Sequence, residues 1–212
     1  MTNDLIARLA DDLHPVPTNA VQRRLGLTAL SGLALTTIMM ISWLGIRPDL
    51  AAAVTTANFW VKFGYTLALG ILGAWAVSRV ARPGETGRTA LGLVPPVLLA
   101  LMIAAGINYA TAPLEERRAL VMGSSALVCP FYILALSVPL LVGCLAFLRR
   151  MAPTNLPLAG LAGGLMAGAL GAWIYSFHCT ESGLPFLTLW YSLGIFTAAA
   201  TGALAGRWAL RW

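Results

Sequence analysis

The sequence predicts an all-α, polytopic integral membrane protein with six transmembrane helices and both termini on the cytoplasmic side. Three observations carry that expectation. Of the 212 residues, 58% are hydrophobic and only 10% charged, with a mean hydropathy of +0.79, whereas soluble domains carry about 25% charged residues. Six uncharged runs follow one another, each on the scale of the roughly 20 apolar residues that cross a bilayer. The basic residues lie at the ends of those runs, and unevenly. With the N-terminus inside, Arg8, Arg23, Arg24, Arg79, Arg82, Arg88, Arg149, Arg150, Arg207 and Arg211 are cytoplasmic, against Arg47, Lys62, Arg117 and Arg118 outside. That is the bias of the positive-inside rule. The net charge of +6 and pI of 9.8 therefore reflect membrane flanks, and no direct nucleic-acid contact is expected.

Residues 1–24 are the only sizeable polar segment, and residues 25–212 form the membrane domain. Leu5, Ile6, Leu9 and Leu13 fall on one face of a short helix. Thr2, Asn3 or Asp4 can cap its start, and Pro15 and Pro17 stop it. So short a helix is marginal alone in water and must pack on something. Helices that lie on lipid are rich in Lys and Arg. This one carries Asp4, Asp11 and Asp12 against Arg8, which favours a protein partner.

The first run, residues 25–46, exceeds the roughly 7–15 residues of a signal-peptide core and reads as a membrane helix. The second is built around residues 63–78 and begins near Phe59, with Lys62 snorkelling to the interface. Residues 89–114, 119–148, 151–177 and 182–206 complete the set. The outer connections are then residues 47–58, 111–126 and 178–183. In the last two runs Gly160, Gly164 and Gly168 recur every four residues, as do Gly194, Ala198, Gly202 and Gly206. Small residues at that spacing let helix backbones approach closely in lipid, so these runs are expected to form a tight hairpin. Its tip is the polar island Ser176-Phe177-His178-Cys179-Thr180-Glu181-Ser182-Gly183.

The cysteines carry the chemistry that the sequence offers. Cys129 is expected about a turn inside the outer end of the fourth helix, level with Cys179 in the last outer loop. Cys144 lies fifteen residues beyond Cys129, about 22 Å further along the axis at 1.5 Å per residue, and is read as packing. On the oxidising side Cys129 and Cys179 can form a disulfide if their Cα atoms come within about 7 Å. With His178, and with Met122 as a further soft ligand, they can instead hold Cu(I), Zn or a heavier thiophilic ion. A permanent structural disulfide and two unrelated small residues are the plainer readings. No nucleotide motif or HExxH is present, and His14 and His178 are the only histidines. Apart from Lys62 no run has an interior charge, so a proton relay or ion path of the usual kind is absent. No enzyme and no constitutive cofactor are expected.

A collinear set of motifs spans nearly the whole chain. It comprises Asp4–Leu13 followed by Pro15-Val16, Arg47-Pro48-Asp49-Leu50, Phe59-Trp60-Val61-Lys62, Cys129-Pro130, Arg149-Arg150-Met151-Ala152-Pro153-Thr154, His178-Cys179 and Trp190-Tyr191. In this the chain resembles the NrsF family of six-helix membrane anti-sigma factors, which restrain ECF-type sigma factors. The resemblance implies a multi-pass protein of the bacterial inner membrane whose N-terminal segment sequesters an ECF-type sigma factor, with Leu5, Ile6, Leu9, Asp11, Asp12 and Leu13 as the contact residues. It implies that Cys129 and Cys179 are the outward-facing pair whose response to heavy metal or oxidant releases the sigma factor. The family often has more acidic residues after the His-Cys pair, where this chain has Glu181 alone. The alternatives are a small metal-handling transporter or accessory protein using the same cysteines, and a structural membrane protein whose thiols do nothing.

Overall fold

In the computed structural model, residue 17 and residues 19–82 and 84–211 are described. Every regular element among them is helical. Six helices are long and apolar enough to cross a membrane, consistent with a multi-pass membrane protein. The first span is α1 (Ala20–Trp43), and a one-turn helix, α2 (Leu50–Ala53), follows it. The second span is α3 (Ala57–Val80), whose start is capped by Thr56 Oγ1 accepting from the Phe59 amide. The third runs over α4 (Arg88–Gly92) and α5 (Val94–Thr111). Pro95 and Pro96 have no N–H to offer the carbonyls four residues back, and the helix breaks at Leu93 for that reason.

The continuous run expected over residues 119–148 is two elements. The amphipathic helix α6 (Leu114–Met122) ends at Gly123, whose φ of +49° favours glycine. The fourth span, α7 (Cys129–Arg149), starts only after an irregular stretch, with Pro130 in its first turn. Cys129 is therefore the first residue of the span, not a residue one turn inside it. The fifth span is α8 (Leu156–Tyr175), capped by Asn155 Oδ1 accepting from Leu158. The sixth is assembled from α9 (Leu184–Phe186), a π-helical turn (Leu187–Tyr191) and α10 (Ser192–Ala209).

The fifth span is the axis of the bundle: 83% of its apolar window is buried, against 22% for the first and third spans. Glycine makes that position possible. A Cβ at Gly160 would stand 2.1 Å from the Gly202 carbonyl oxygen, and one at Gly164 2.4 Å from that of Ala198. A Cβ at Gly168 would stand 2.8 Å from the Ala198 Cβ and 2.9 Å from the Ile195 carbonyl oxygen. On its other faces the same helix is met by Gly73 of α3 at the Met166 backbone, and its own Gly171 presses on Ser137 of α7. Gly194 departs from the hairpin stripe, because a Cβ there would stand 2.9 Å from Ile133 of α7, and its absence makes room for the fourth span. Two buried hydrogen bonds tie the outer helices in. Thr36 Oγ1 donates to the Leu136 carbonyl at 3.1 Å, and the Tyr65 and Ser192 hydroxyls meet at 2.7 Å.

Candidate functional site

At one end of the bundle the chain after the fifth span turns through residues 176–183 and back into the sixth. The turn is held by the carbonyl of Tyr175, which accepts from the amides of His178 and Cys179. Cys179 is 3% exposed and Cys129, at the start of α7, is fully buried; both are free thiols. The two sulfurs are within hydrogen-bonding reach of each other. Around them stand Tyr175 and Tyr191, ring centroids 5.7 Å apart. The π turn brings Tyr191 to this place, fully buried, and its hydroxyl has no hydrogen-bond partner among the described residues and stands near the Cys179 sulfur.

Two cations grip the loop from outside it. Lys62 is only 2% exposed, and its ammonium donates to the carbonyls of Cys179 (3.1 Å) and Glu181 (2.5 Å). It does not snorkel out to solvent. The loop's carbonyls point inward at this level, and they offer a buried ammonium the acceptors that water would otherwise supply. Arg47, 7% exposed, donates from Nη1 to the Cys179 carbonyl at 3.0 Å and from Nη2 to that of Thr180 at 3.4 Å. Its remaining edge meets Asp49 in a two-pronged ion pair of 2.7 Å contacts. The pairing raises the Arg47 guanidinium's pKa and lowers that of the Asp49 carboxyl. The Arg47 amide donates to the Phe177 carbonyl. Finally, Glu181 accepts from the amide and the hydroxyl of Ser124, both at 2.7 Å. That contact joins the Cys179 loop to the segment leading into Cys129. Glycine suits that position, because its φ is +49° and a Cβ would have to push the Glu181 carboxylate aside.

These surroundings set the acidity of Cys179. The hydrogen bond from Cys129 lowers its pKa from the ordinary 9.0 to about 5, against the opposing effect of burial. The Lys62 ammonium, the Tyr191 hydroxyl and the Glu181 amide act in the same direction as Cys129. A thiolate is the nucleophilic and metal-binding form of cysteine. An open cavity of about 340 Å³ leads to it, lined by Leu44, Arg47, Pro48, Ser125, His178 and Cys179 among others.

The other sequence-selected residues lie around this pair or away from it. His178 Nδ1 is 2.9 Å from the Gly45 carbonyl oxygen, and its ring packs on Tyr175 and Tyr132. Among the described residues no three His, Cys, Asp or Glu side chains converge into a set that could hold a metal ion. Met122 ends α6, partly exposed. Cys144 is buried in α7 beside Gly163 and Leu148. Leu5, Ile6, Leu9, Asp11, Asp12 and Leu13 lie outside the described residues. The residues that sequence reasoning did not select for the site are Arg47, Asp49, Lys62, Ser124, Glu181 and Tyr191. Lys62 had a signal, as the one charge inside an apolar run.

Over residues 9–212 the chain matches the protein family described as NrsF, Negative regulator of sigma F. It is 41% identical over 213 residues to a Caulobacter vibrioides protein named Anti-sigma-F factor NrsF. It is 40% identical over 214 residues to one from Azospira oryzae named Probable anti-sigma-F factor NrsF. Each match covers 100% of this chain and 99% of the relative. No solved structure matches the chain.

Proposed function

The chain belongs to the NrsF family, the negative regulators of sigma F, and from that premise we propose that it is an inner-membrane anti-sigma factor governed by its thiol pair. It is a regulator and not an enzyme. In this reading both termini are cytoplasmic, as the distribution of basic residues favours. The partner is an ECF-type sigma factor of the sigma-F kind named for its relatives. It docks on residues 1–24 through the apolar face of Leu5, Ile6, Leu9 and Leu13 and the acidic Asp11 and Asp12.

The observation that carries the sensing half is the contact between Cys179 in a loop and Cys129 at the first residue of a span. A disulfide or a bridging thiophilic ion would tie the loop to α7 directly. Cys129 and Arg149 are the two ends of one helix, and that helix shares its packing with the buried fifth span. A change at the thiols therefore has a continuous packed route to the arginine-rich end. Two thiolates fit a soft ion. His178 would join them only by turning from its present neighbours, since its Nδ1 is engaged with Gly45. Tenfold weaker binding of the sigma factor requires about 1.4 kcal/mol of difference between the two states, within reach of one new covalent or coordinate link.

Co-purification from detergent-solubilised membranes tests the reading. A sigma factor should accompany the full-length protein, be lost when residues 1–18 are removed, and be released by a thiophilic metal or an oxidant. Capture that survives replacement of either Cys129 or Cys179 but is no longer released by treatment would assign sensing to the pair. No sigma factor under any condition would sink the proposal.

A further inference from the structure

The two thiols occupy unequal places. Cys179 lines the open 340 Å³ cavity, whereas Cys129 is fully buried behind it and is not among that cavity's lining residues. The Cys179 backbone carbonyl is gripped by the Lys62 ammonium and the Arg47 guanidinium, so two cations stand at this residue and none bonds to Cys129. Tyr191 offers an otherwise unpartnered hydroxyl at the Cys179 sulfur. Cys129, for its part, lies beside that same sulfur.

We propose that Cys179 is a modification site for hydroperoxides, the residue that takes the oxygen atom, and that Cys129 is the resolving thiol that closes the disulfide. The inference rests on the sensing reading for its biological meaning and deepens its oxidant arm. The lowered pKa of Cys179 supplies the thiolate fraction at neutral pH but does not by itself distinguish the two residues. Access does so, since Cys179 lines the cavity and Cys129 does not.

The chemistry balances without a further reagent. The Cys179 thiolate attacks one oxygen of the O–O bond, an S–O bond forms, and the other oxygen leaves and takes a proton as water or alcohol. Sulfur is oxidised to sulfenic acid and the peroxide is reduced. Cys129 sulfur then attacks the sulfenic sulfur, the S–O bond breaks, and the departing hydroxide leaves as water with the Cys129 proton. Lys62 and Tyr191 touch no reacting oxygen in this structure. Their part is positioning: one fixes the loop carbonyl and favours the thiolate, and the other can donate to the sulfur.

The test uses the full-length protein purified reduced in detergent, hydrogen peroxide as oxidant and dimedone as the sulfenic-acid trap, with peptide mass spectrometry as readout. Cys129→Ser should accumulate the dimedone adduct on Cys179. Cys179→Ser should give no adduct on Cys129 above that on the fully buried Cys144. Without the trap, the unsubstituted protein should form the Cys129–Cys179 disulfide. If a serine variant does not fold, the unsubstituted protein treated with excess dimedone decides instead, with the adduct on Cys179 and not on Cys129. In the Cys129→Ser background, Lys62→Met should slow adduct formation about tenfold at neutral pH through loss of thiolate, and Lys62→Arg should restore most of the rate. Adduct on Cys129, or a disulfide that forms while Cys179 is never trapped, would overturn the assignment. Because the readout is chemical, failure of sigma-factor release leaves it standing, and failure of trapping leaves the anti-sigma reading standing.

Discussion

Lys62→Met separates the structural work of the buried ammonium from its electrostatic work. The side chain donates to two carbonyls, but the two losses are unequal. The Cys179 carbonyl still receives Arg47 Nη1 at 3.0 Å, so it stays satisfied. The Glu181 carbonyl loses the 2.5 Å bond that Lys62 alone supplies among the described residues. One orphaned buried acceptor costs about 1–3 kcal/mol. Part of that is offset because methionine no longer carries a charge out of water, a burial that itself costs several kcal/mol. The variant should therefore fold and lose at most about 2 kcal/mol, seen as a small drop in thermal midpoint in detergent. The charge effect has no such offset. The pH at which Cys179 becomes half-reactive toward iodoacetamide, about 5 in the reduced parent, should move up toward 9.0, the ordinary value. Lys62→Arg should leave it low. An unmoved midpoint in Lys62→Met would refute the claim that this ammonium stabilises the thiolate. A collapse of the fold would refute the ledger.

Other expectations follow from the same contacts. Cys179 has a depressed pKa, so its contribution to stability is fully present above about pH 9 and is lost as pH falls through about 5. The thermal midpoint of the reduced protein should accordingly rise across that window, and Cys179→Ser should flatten the rise. Gly123→Ala puts a Cβ on the Glu181 carboxylate and a side chain at φ +49°. It should cost about 1–3 kcal/mol and slow disulfide formation, because the Ser124–Glu181 link aligns the two cysteine segments. Gly160→Leu must push the fifth and sixth spans apart at the Gly202 carbonyl. A loss of about 1–3 kcal/mol or more should appear as a lowered thermal midpoint, and a neutral result would contradict the close approach. Cys144→Ala should leave oxidation and release by peroxide unchanged, checked by non-reducing electrophoresis and co-purification.

The sensing geometry also gives a reason for the loop's multiple attachments. Gly45, Arg47, Lys62 and Ser124 reach it from the first connection, the second span and the segment before the fourth span. A loop held this way has few alternative positions. A new bond to Cys129 then acts on a defined geometry, and its effect passes to the attached helices instead of being absorbed by slack.

The sequence by itself determined the class, the six spans and the family, because each rests on properties that local composition reports. Apolar run length answers to bilayer thickness, and a collinear set of motifs answers to ancestry. It also placed Cys129 and Cys179 at a common level and brought the small-residue stripes of the last two spans to notice. Span boundaries were less legible where prolines and a glycine intervene. The break before Cys129 depends on Gly123 and Pro130 acting within a run that stays uncharged throughout, and charge-free run length does not register it. Only the tertiary structure decided that Lys62 turns inward, that Arg47 joins it, and that a π turn puts Tyr191 on the Cys179 sulfur. The carbonyls that Lys62 and Arg47 meet belong to residues more than a hundred positions away, and Tyr191 reaches the loop only because the sixth span folds back over it. No periodicity or spacing encodes a partner at that separation; packing around the glycine-lined fifth span brings them together.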